Sequence, residues 1–333
     1  MDALRRELES FVENNGFSYS KVAKAMSIGT STLSEFRKGN YKGDMNALAE
    51  KVRAFLDRHR TTMKRIKFSA DTEVKKRVFY TIDMIQKYVA SNVKERLLES
   101  AKIAYIFGRA GIGKTHALQE YVKSYKGRCI FITAENNITD GTMIRKIARE
   151  LKLDHHGRIE NLKEDIKDTL RFTETILIID EGEHLKPKVI DIVRSIADQT
   201  GIGVVIAGTE KLKQQICSQR GEYEYLFSRA VINMSLKDLD IKDIRLIVTK
   251  FLGSEVDLYE DKEIAEMINY INLTVKGSAR QLSNLLSLAS DIASRPENFE
   301  DTKGRITIEY IKAAITMLSI CLLYTSPSPR DRG

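Results

Sequence analysis

Cysteine is scarce in this chain and forms no pattern where it occurs. The three cysteines, Cys129, Cys217 and Cys321, lack metal-ligand spacing, which excludes a cysteine-built metal site and predicts a reducing cytoplasm. Long apolar runs are missing as well. No stretch approaches the ~20 residues of a membrane span, and the N-terminus, Met1-Asp-Ala-Leu-Arg5, has no signal-peptide core. No membrane association is expected, and the compartment is predicted to be the cytoplasm. Proline is rare too: two of the four fall in the last stretch, Cys321-Leu-Leu-Tyr-Thr-Ser-Pro-Ser-Pro-Arg-Asp331. That stretch breaks the amphipathic pattern before it and resembles a translated sequencing-adaptor sequence. Residues 321–333 are therefore expected to be a non-native tail and are set aside from fold reasoning.

What remains is an ordinary globular composition, 42% hydrophobic and 30% charged, over 333 residues, enough for two or three domains. Charge is unevenly spread. The first 67 residues hold 14 Lys and Arg against 8 Asp and Glu, six of the chain's eight net positive charges. Such asymmetry points to a polyanion partner.

The sharpest motif is Gly108-Arg109-Ala110-Gly111-Ile112-Gly113-Lys114-Thr115, directly after the apolar run Ile103–Phe107. A buried strand delivering the chain to a glycine-rich turn lets backbone N–H groups close around the phosphates of a nucleotide. Lys114 adds a point charge and the Thr115 hydroxyl reaches Mg²⁺. The helix expected from about Lys114 to Lys126 aims its positive dipole end at the anion. A second aliphatic run, Thr175-Ile-Leu-Ile-Ile-Asp180-Glu181, reads as a central strand buried on both faces. Asp180 at its end would serve Mg²⁺, and Glu181 would polarise the attacking water. ATP with Mg²⁺ is the expected pair of ligands.

Within the basic N-terminal region, Tyr19–Phe36 has helix-turn-helix spacing. Val22, Ala23 and Met26 form the inner face of a first helix, Ile28 fills the turn, and Leu33 with Phe36 line a second. Thr30, Ser31, Thr32, Ser34, Glu35, Arg37 and Lys38 would lie outward on the second helix or at its end, where DNA phosphates and bases are met. The outward set is mostly small hydroxyls with few bidentate readers, so largely sequence-independent DNA binding is expected. Ser27 occupies the turn position where glycine is usual. A helix follows from Met45 to about His59.

The expected domains are a helix-turn-helix domain over 1–60, a linker over 61–73, a nucleotide-binding core over 74–236 and a helical lid over 237–320. In the core, a helical pattern over Val74–Glu99 precedes the first strand. Further strands are predicted at Arg128–Thr133, Thr175–Asp180, Gly203–Ala207 and Arg229–Leu236, separated by helical stretches, which argues a parallel sheet covered on both sides. Then strands stop, and Asp240–Phe251, Asp261–Asn269, Ser278–Ala293 and Thr307–Ile320 read as amphipathic helices.

A five-stranded α/β phosphate-loop core with a C-terminal helical lid resembles the AAA+ ATPases. That resemblance implies three further roles. Thr209, after Val204-Val-Ile-Ala-Gly208, falls where the superfamily senses the γ-phosphate, although asparagine is more usual there. Arg229, in Leu226-Phe-Ser-Arg229, resembles an arginine finger acting on a neighbouring subunit. Arg280, in Lys276-Gly-Ser-Ala-Arg280-Gln-Leu, opens a lid helix as a second sensor does. Taken with the N-terminal helix-turn-helix, the motifs GRAGIGKT, IIDEGEHL, AGT, LFSRA and KGSARQL resemble, over about residues 1–320, the phage Mu B-like transposition proteins. The likeness implies an ATPase that polymerises on target DNA as a helical homo-oligomer and recruits a DDE transposase. A helicase-loader-like ATPase and an ATP-switched, sequence-specific transcription regulator are the alternatives on sequence.

Overall fold

Three strands are apolar almost end to end, and a run of that kind is stable only between two covering layers. In this computed structural model they form the middle of a five-stranded parallel sheet, ordered β2-β3-β4-β1-β5. The strands are β1 (Lys102–Phe107), β2 (Cys129–Thr133), β3 (Ile176–Asp180), β4 (Gly203–Gly208) and β5 (Ala230–Ser235). Every residue of β3 and β4 is buried, whereas the edge strand β5 alternates half-buried and exposed positions. The structure describes residues 2–15, 18–60, 69–96, 98, 101–217, 230–295, 298 and 305–324. These divide into two compact units, Lys67–Asn284 and Met1–Ile66 with Leu285–Gly333.

In the first of these units, helices α6 (Lys114–Ser124), α7 (Asp140–Glu150), α8 (Ile159–Leu170), α9 (Pro187–Thr200) and α10 (Glu210–Cys217) connect the strands. Helix α5 (Glu73–Glu95) precedes β1, burying Val74, Val78, Ile82, Ile85 and Val89 at helical spacing. It ends earlier than its pattern suggests, because Arg96 turns left-handed with φ 50° and caps the helix. The sheet accepts α5 closely at Gly203, where a Cβ would stand 2.4 Å from Ile85 Cγ2.

After β5 come α11 (Ile241–Leu252), a 3₁₀ segment (Gly253–Leu258) and α12 (Asp261–Val275). Asp240 caps α11, its side chain accepting the N–H groups of Lys242 and Asp243. Helix α12 continues beyond Asn269. Buried Ile271 and Val275 extend its apolar face, and that burial overrides the weak helix propensity of Asn272 and Thr274. Helices α13 (Ala279–Ala293) and α14 (Ile308–Tyr324) complete the run. No helix among the described residues is long and apolar enough to cross a membrane.

The segment Ser69–Thr72, read from sequence as part of a linker, is tied down. The Ser69 hydroxyl donates to Glu120, and the Lys75 ammonium reaches both Ser69 and Asp71. The Ser69 carbonyl accepts from Lys250 of α11 at 2.9 Å, and the Glu73 N–H donates to Asp243 at 2.9 Å.

In the other unit, α1 (Asp2–Asn15), α2 (Tyr19–Ala25), α3 (Thr30–Lys38) and α4 (Met45–Arg60) share one apolar cluster. Val22, Ala23, Leu33 and Phe36 are buried in it, with Ile28 packed against it. Ser18 caps α2 and Asp44 caps α4. The turn between α2 and α3 passes through Ser27 at φ 52°, the left-handed conformation that makes glycine usual there.

Candidate functional site

The site forms where β1, β3 and β4 end, at the carboxyl edge of the sheet, where open α/β folds bind ligands. After Phe107 the chain turns through Gly108–Gly113. Gly111 and Gly113 adopt φ 82° and 105°, conformations that L side chains rarely take. At Gly108 a Cβ would meet Ile112 Cδ1 at 2.7 Å and Leu236 Cβ at 3.1 Å. Ile112, 1% exposed, is the apolar peg that holds the loop down. The Gly108 N–H donates to the Gly208 carbonyl, joining the loop's start to the end of β4.

Lys114 opens α6 and is buried, its ammonium donating to the carbonyls of Gly108 at 2.6 Å and Arg109 at 3.0 Å. Burial pushes its pKa below the ordinary lysine value, while Asp180, Glu183 and Glu210 act in the opposite direction and Arg280 adds to the lowering. An anion placed in the loop would relieve that burial cost. Next to it the Thr115 hydroxyl donates to Asp180 Oδ2 at 2.6 Å. A hydroxyl and a carboxylate oxygen held side by side at the mouth of a glycine cradle are the hard donors that Mg²⁺ prefers. The residues fit a Mg–nucleotide: the loop for phosphates, Thr115 and Asp180 for the ion, which would offset phosphate charge there.

Glu181 follows β3 at φ 56° and ψ 39°, a strained conformation for a non-glycine residue of the kind that clusters at functional sites. Its N–H is satisfied by Asp180 Oδ1 at 2.9 Å. Its side chain is 54% exposed, with Oε2 3.8 Å from His184 Nε2. That exposed carboxylate stands at the strand end, next in the chain to Asp180.

The structure brings the phosphate loop, Asp180, Glu181, Thr209 and Arg280 to one edge. Thr209 follows β4, and its carbonyl accepts from Lys213 in the first turn of α10. Arg280, exposed at the start of α13, donates its backbone N–H to the Gly111 carbonyl at 3.0 Å. Arg229 lies outside the described residues. Sequence reading missed Glu183, whose Oε2 accepts the Thr209 N–H at 3.1 Å and thereby braces the end of β4 against the turn after β3. The only signal was a third acid close behind Asp180-Glu181.

On the helix-turn-helix, Thr30, Ser31 and Lys38 are exposed and Thr32 is half-buried. Arg37 is engaged within its own unit. Its guanidinium pairs with Glu9 at 3.2 Å and stacks 3.6 Å above the Tyr19 ring.

Residues 96–216 match the model of the AAA domain family. The chain is 24% identical over 261 residues to the Mu-like prophage FluMu DNA transposition protein B of Haemophilus influenzae, spanning 76% of this chain and 86% of that protein. It is 23% identical over 322 residues to the ATP-dependent target DNA activator B of Escherichia phage Mu, 95% of each chain. Among solved structures it is similar to the Aeropyrum pernix ORC2 protein in its ADPNP-ADP complexes, with a TM-score of 0.53 at 14% identity over 76% of this chain and 70% of that one. That last likeness shows the fold alone.

Proposed function

We propose that this chain, an AAA+ ATPase related over most of its length to the transposition B proteins, uses ATP to assemble on target DNA and there engages a DDE transposase. One observation carries the catalytic half of the reading: the Thr115–Asp180 hydrogen bond of 2.6 Å, which joins the phosphate loop to the acidic strand end. Around it, the loop N–H groups and Lys114 bind and orient the phosphates, and Asp180 with Thr115 hold Mg²⁺. Glu181 takes the proton of the attacking water. Thr209, braced by Glu183, and Arg280, bonded to the loop, report whether the γ-phosphate is present.

The DNA half rests on two supports: the basic helix-turn-helix unit, with Thr30, Ser31, Thr32 and Lys38 toward the nucleic acid and Arg37 buttressing the helix, and the likeness to the phage Mu relative, a target DNA activator by name. A multi-subunit filament in the host cytoplasm would gather many weak, phosphate-directed contacts into tight binding. Three domains, over 1–60, 74–236 and 237–320, with a linker over 61–73, complete the proposed layout, and 321–333 lie outside it.

The test is duplex binding measured across a salt series with ATP and without nucleotide, on unrelated sequences. The expected result is affinity that is ATP-dependent, indifferent to sequence and steeply weakened by salt, since each neutralised phosphate releases counterions. Equal affinity with and without ATP would remove the coupling. A single preferred operator would favour a transcription regulator instead.

A further inference from the structure

The phosphate loop contains one charged side chain that its phosphate chemistry does not use. Arg109, directly after Gly108, turns its guanidinium away to the start and the bend of the helical lid. One terminal nitrogen donates to the Lys276 carbonyl at 2.9 Å, and the other pairs with the Asp238 carboxylate at 3.1 Å. Asp238 lies just ahead of α11, and Lys276 ends α12 in a left-handed turn at φ 45°. A single planar group therefore spans the two chain segments that frame the lid.

Those segments are themselves in tight contact. The Leu239 N–H donates to the Gly277 carbonyl at 3.0 Å. A Cβ on Gly277 would stand 2.6 Å from Asp238 Cβ and 2.9 Å from the Leu239 carbonyl oxygen. The opposite side of the loop is joined to the same turn. Arg280 donates its N–H to the Gly111 carbonyl at 3.0 Å, and a Cβ on Gly111 would meet Ser278 Oγ at 3.1 Å.

The geometry points to Arg109 as a positioning residue that fastens the lid's bend to the phosphate loop and so holds Arg280 over the nucleotide site. This rests on the ATPase reading and on Arg280 as a nucleotide-sensing group. A guanidinium is suited to the task, since its fork engages a carboxylate and a carbonyl at once, which a single ammonium does less well. The ion pair is half-exposed at both ends, and pairs of that kind add little to global stability. Its effect belongs in turnover rather than in the melting temperature.

The experiment compares full-length wild type with Arg109→Ala, Arg280→Ala and the double variant, recording kcat, KM for ATP and the nucleotide-free melting temperature. Arg109→Ala should lower kcat by about 2- to 30-fold, the range of mutational effects on coupling, with the melting temperature unchanged. Adding it to Arg280→Ala should cost no more, because the arginine it positions is already gone. Arg109→Lys should be intermediate, and Asp238→Ala, which breaks the ion pair from the lid side, should reproduce the loss. Multiplicative effects of the two arginine substitutions would overturn the proposal. So would full activity in Arg109→Ala, an Arg280→Ala variant as active as wild type, or lost activity matched by a fallen melting temperature. Wild type and Lys114→Ala serve as the separate control: no hydrolysis by wild type would refute the ATPase reading itself, and hydrolysis undiminished in Lys114→Ala would refute this loop as its site, whatever the arginine comparison gives.

Discussion

At the residue scale the proposed site separates binding from chemistry. Lys114 is buried among loop carbonyls, where only a phosphate would repay its burial. Lys114→Ala is therefore expected to abolish nucleotide binding, read by fluorescence of a labelled ATP analogue. Glu181 stands exposed past the end of β3 and makes none of the loop's hydrogen bonds to Lys114. Glu181→Gln should bind ATP as tightly as wild type while phosphate release falls about 10²- to 10⁴-fold, the usual effect of removing a general base. Equal turnover would remove Glu181 from that role. A different residue sets a pH dependence. Burial raises the Asp243 carboxyl above its ordinary value of 3.8, with Asp240 acting in the same direction and the Glu73 N–H against it. The folded state then holds that proton more tightly than the unfolded chain. The group's stabilising contribution is complete at acid pH and is lost as pH rises through the raised pKa. Asp243→Asn keeps an acceptor oxygen for Glu73 and removes the charge. It should raise the melting temperature near neutral pH, and the gain should vanish below pH 3.8. The phosphate loop and Asp180-Glu181 were legible in sequence because their chemistry uses contiguous residues. The bracing by Glu183 and the lid contacts of Arg109 were not, because the partners, Thr209, Asp238 and Lys276, reach them only through the closed fold.

At the element scale, β3 and β4 could be read directly, since an unbroken aliphatic run bounded by polar residues has few other uses. Helix ends were harder. The stop at Arg96 depends on a backbone conformation, and the extra turn of α12 depends on burial of Ile271 and Val275. Neither is written in local propensity. The two turns make contrasting predictions. Gly277 has φ 72° and is hemmed in by the backbone of Leu239, so Gly277→Ala combines strain with overpacking. It should destabilise the fold by about 2–4 kcal/mol in denaturant unfolding. Ser27 has a similar left-handed φ of 52° with a side chain already present. Ser27→Gly relieves that strain at some entropic cost and should stabilise the helix-turn-helix by up to about 1 kcal/mol. A destabilised Ser27→Gly would show that the hydroxyl makes an interaction worth more than the strain.

At the scale of the whole molecule, hydrolysis is expected to depend on neighbours. If Arg229 acts across a subunit interface, activity should rise with protein concentration and with DNA, which gathers subunits. Arg229→Ala should bind ATP yet hydrolyse poorly. Mixing it with Lys114→Ala should restore turnover, because one subunit supplies the arginine and the other the phosphate loop. A mixture shown to co-assemble but remaining inactive would exclude action in trans. The sheet order has a different kind of consequence. The strand that carries the phosphate loop pairs with β4 and β5, and with neither β2 nor β3, its nearer neighbours in sequence. A nascent chain that has reached β3 already contains all of Gly108–Thr115 and has nothing to fasten it to. Ligand affinity must then appear late in translation and abruptly, once Gly203–Gly208 and then Ala230–Ser235 have left the ribosome. Until that moment the motif is only an unfastened glycine-rich segment, and a protease meets it as such.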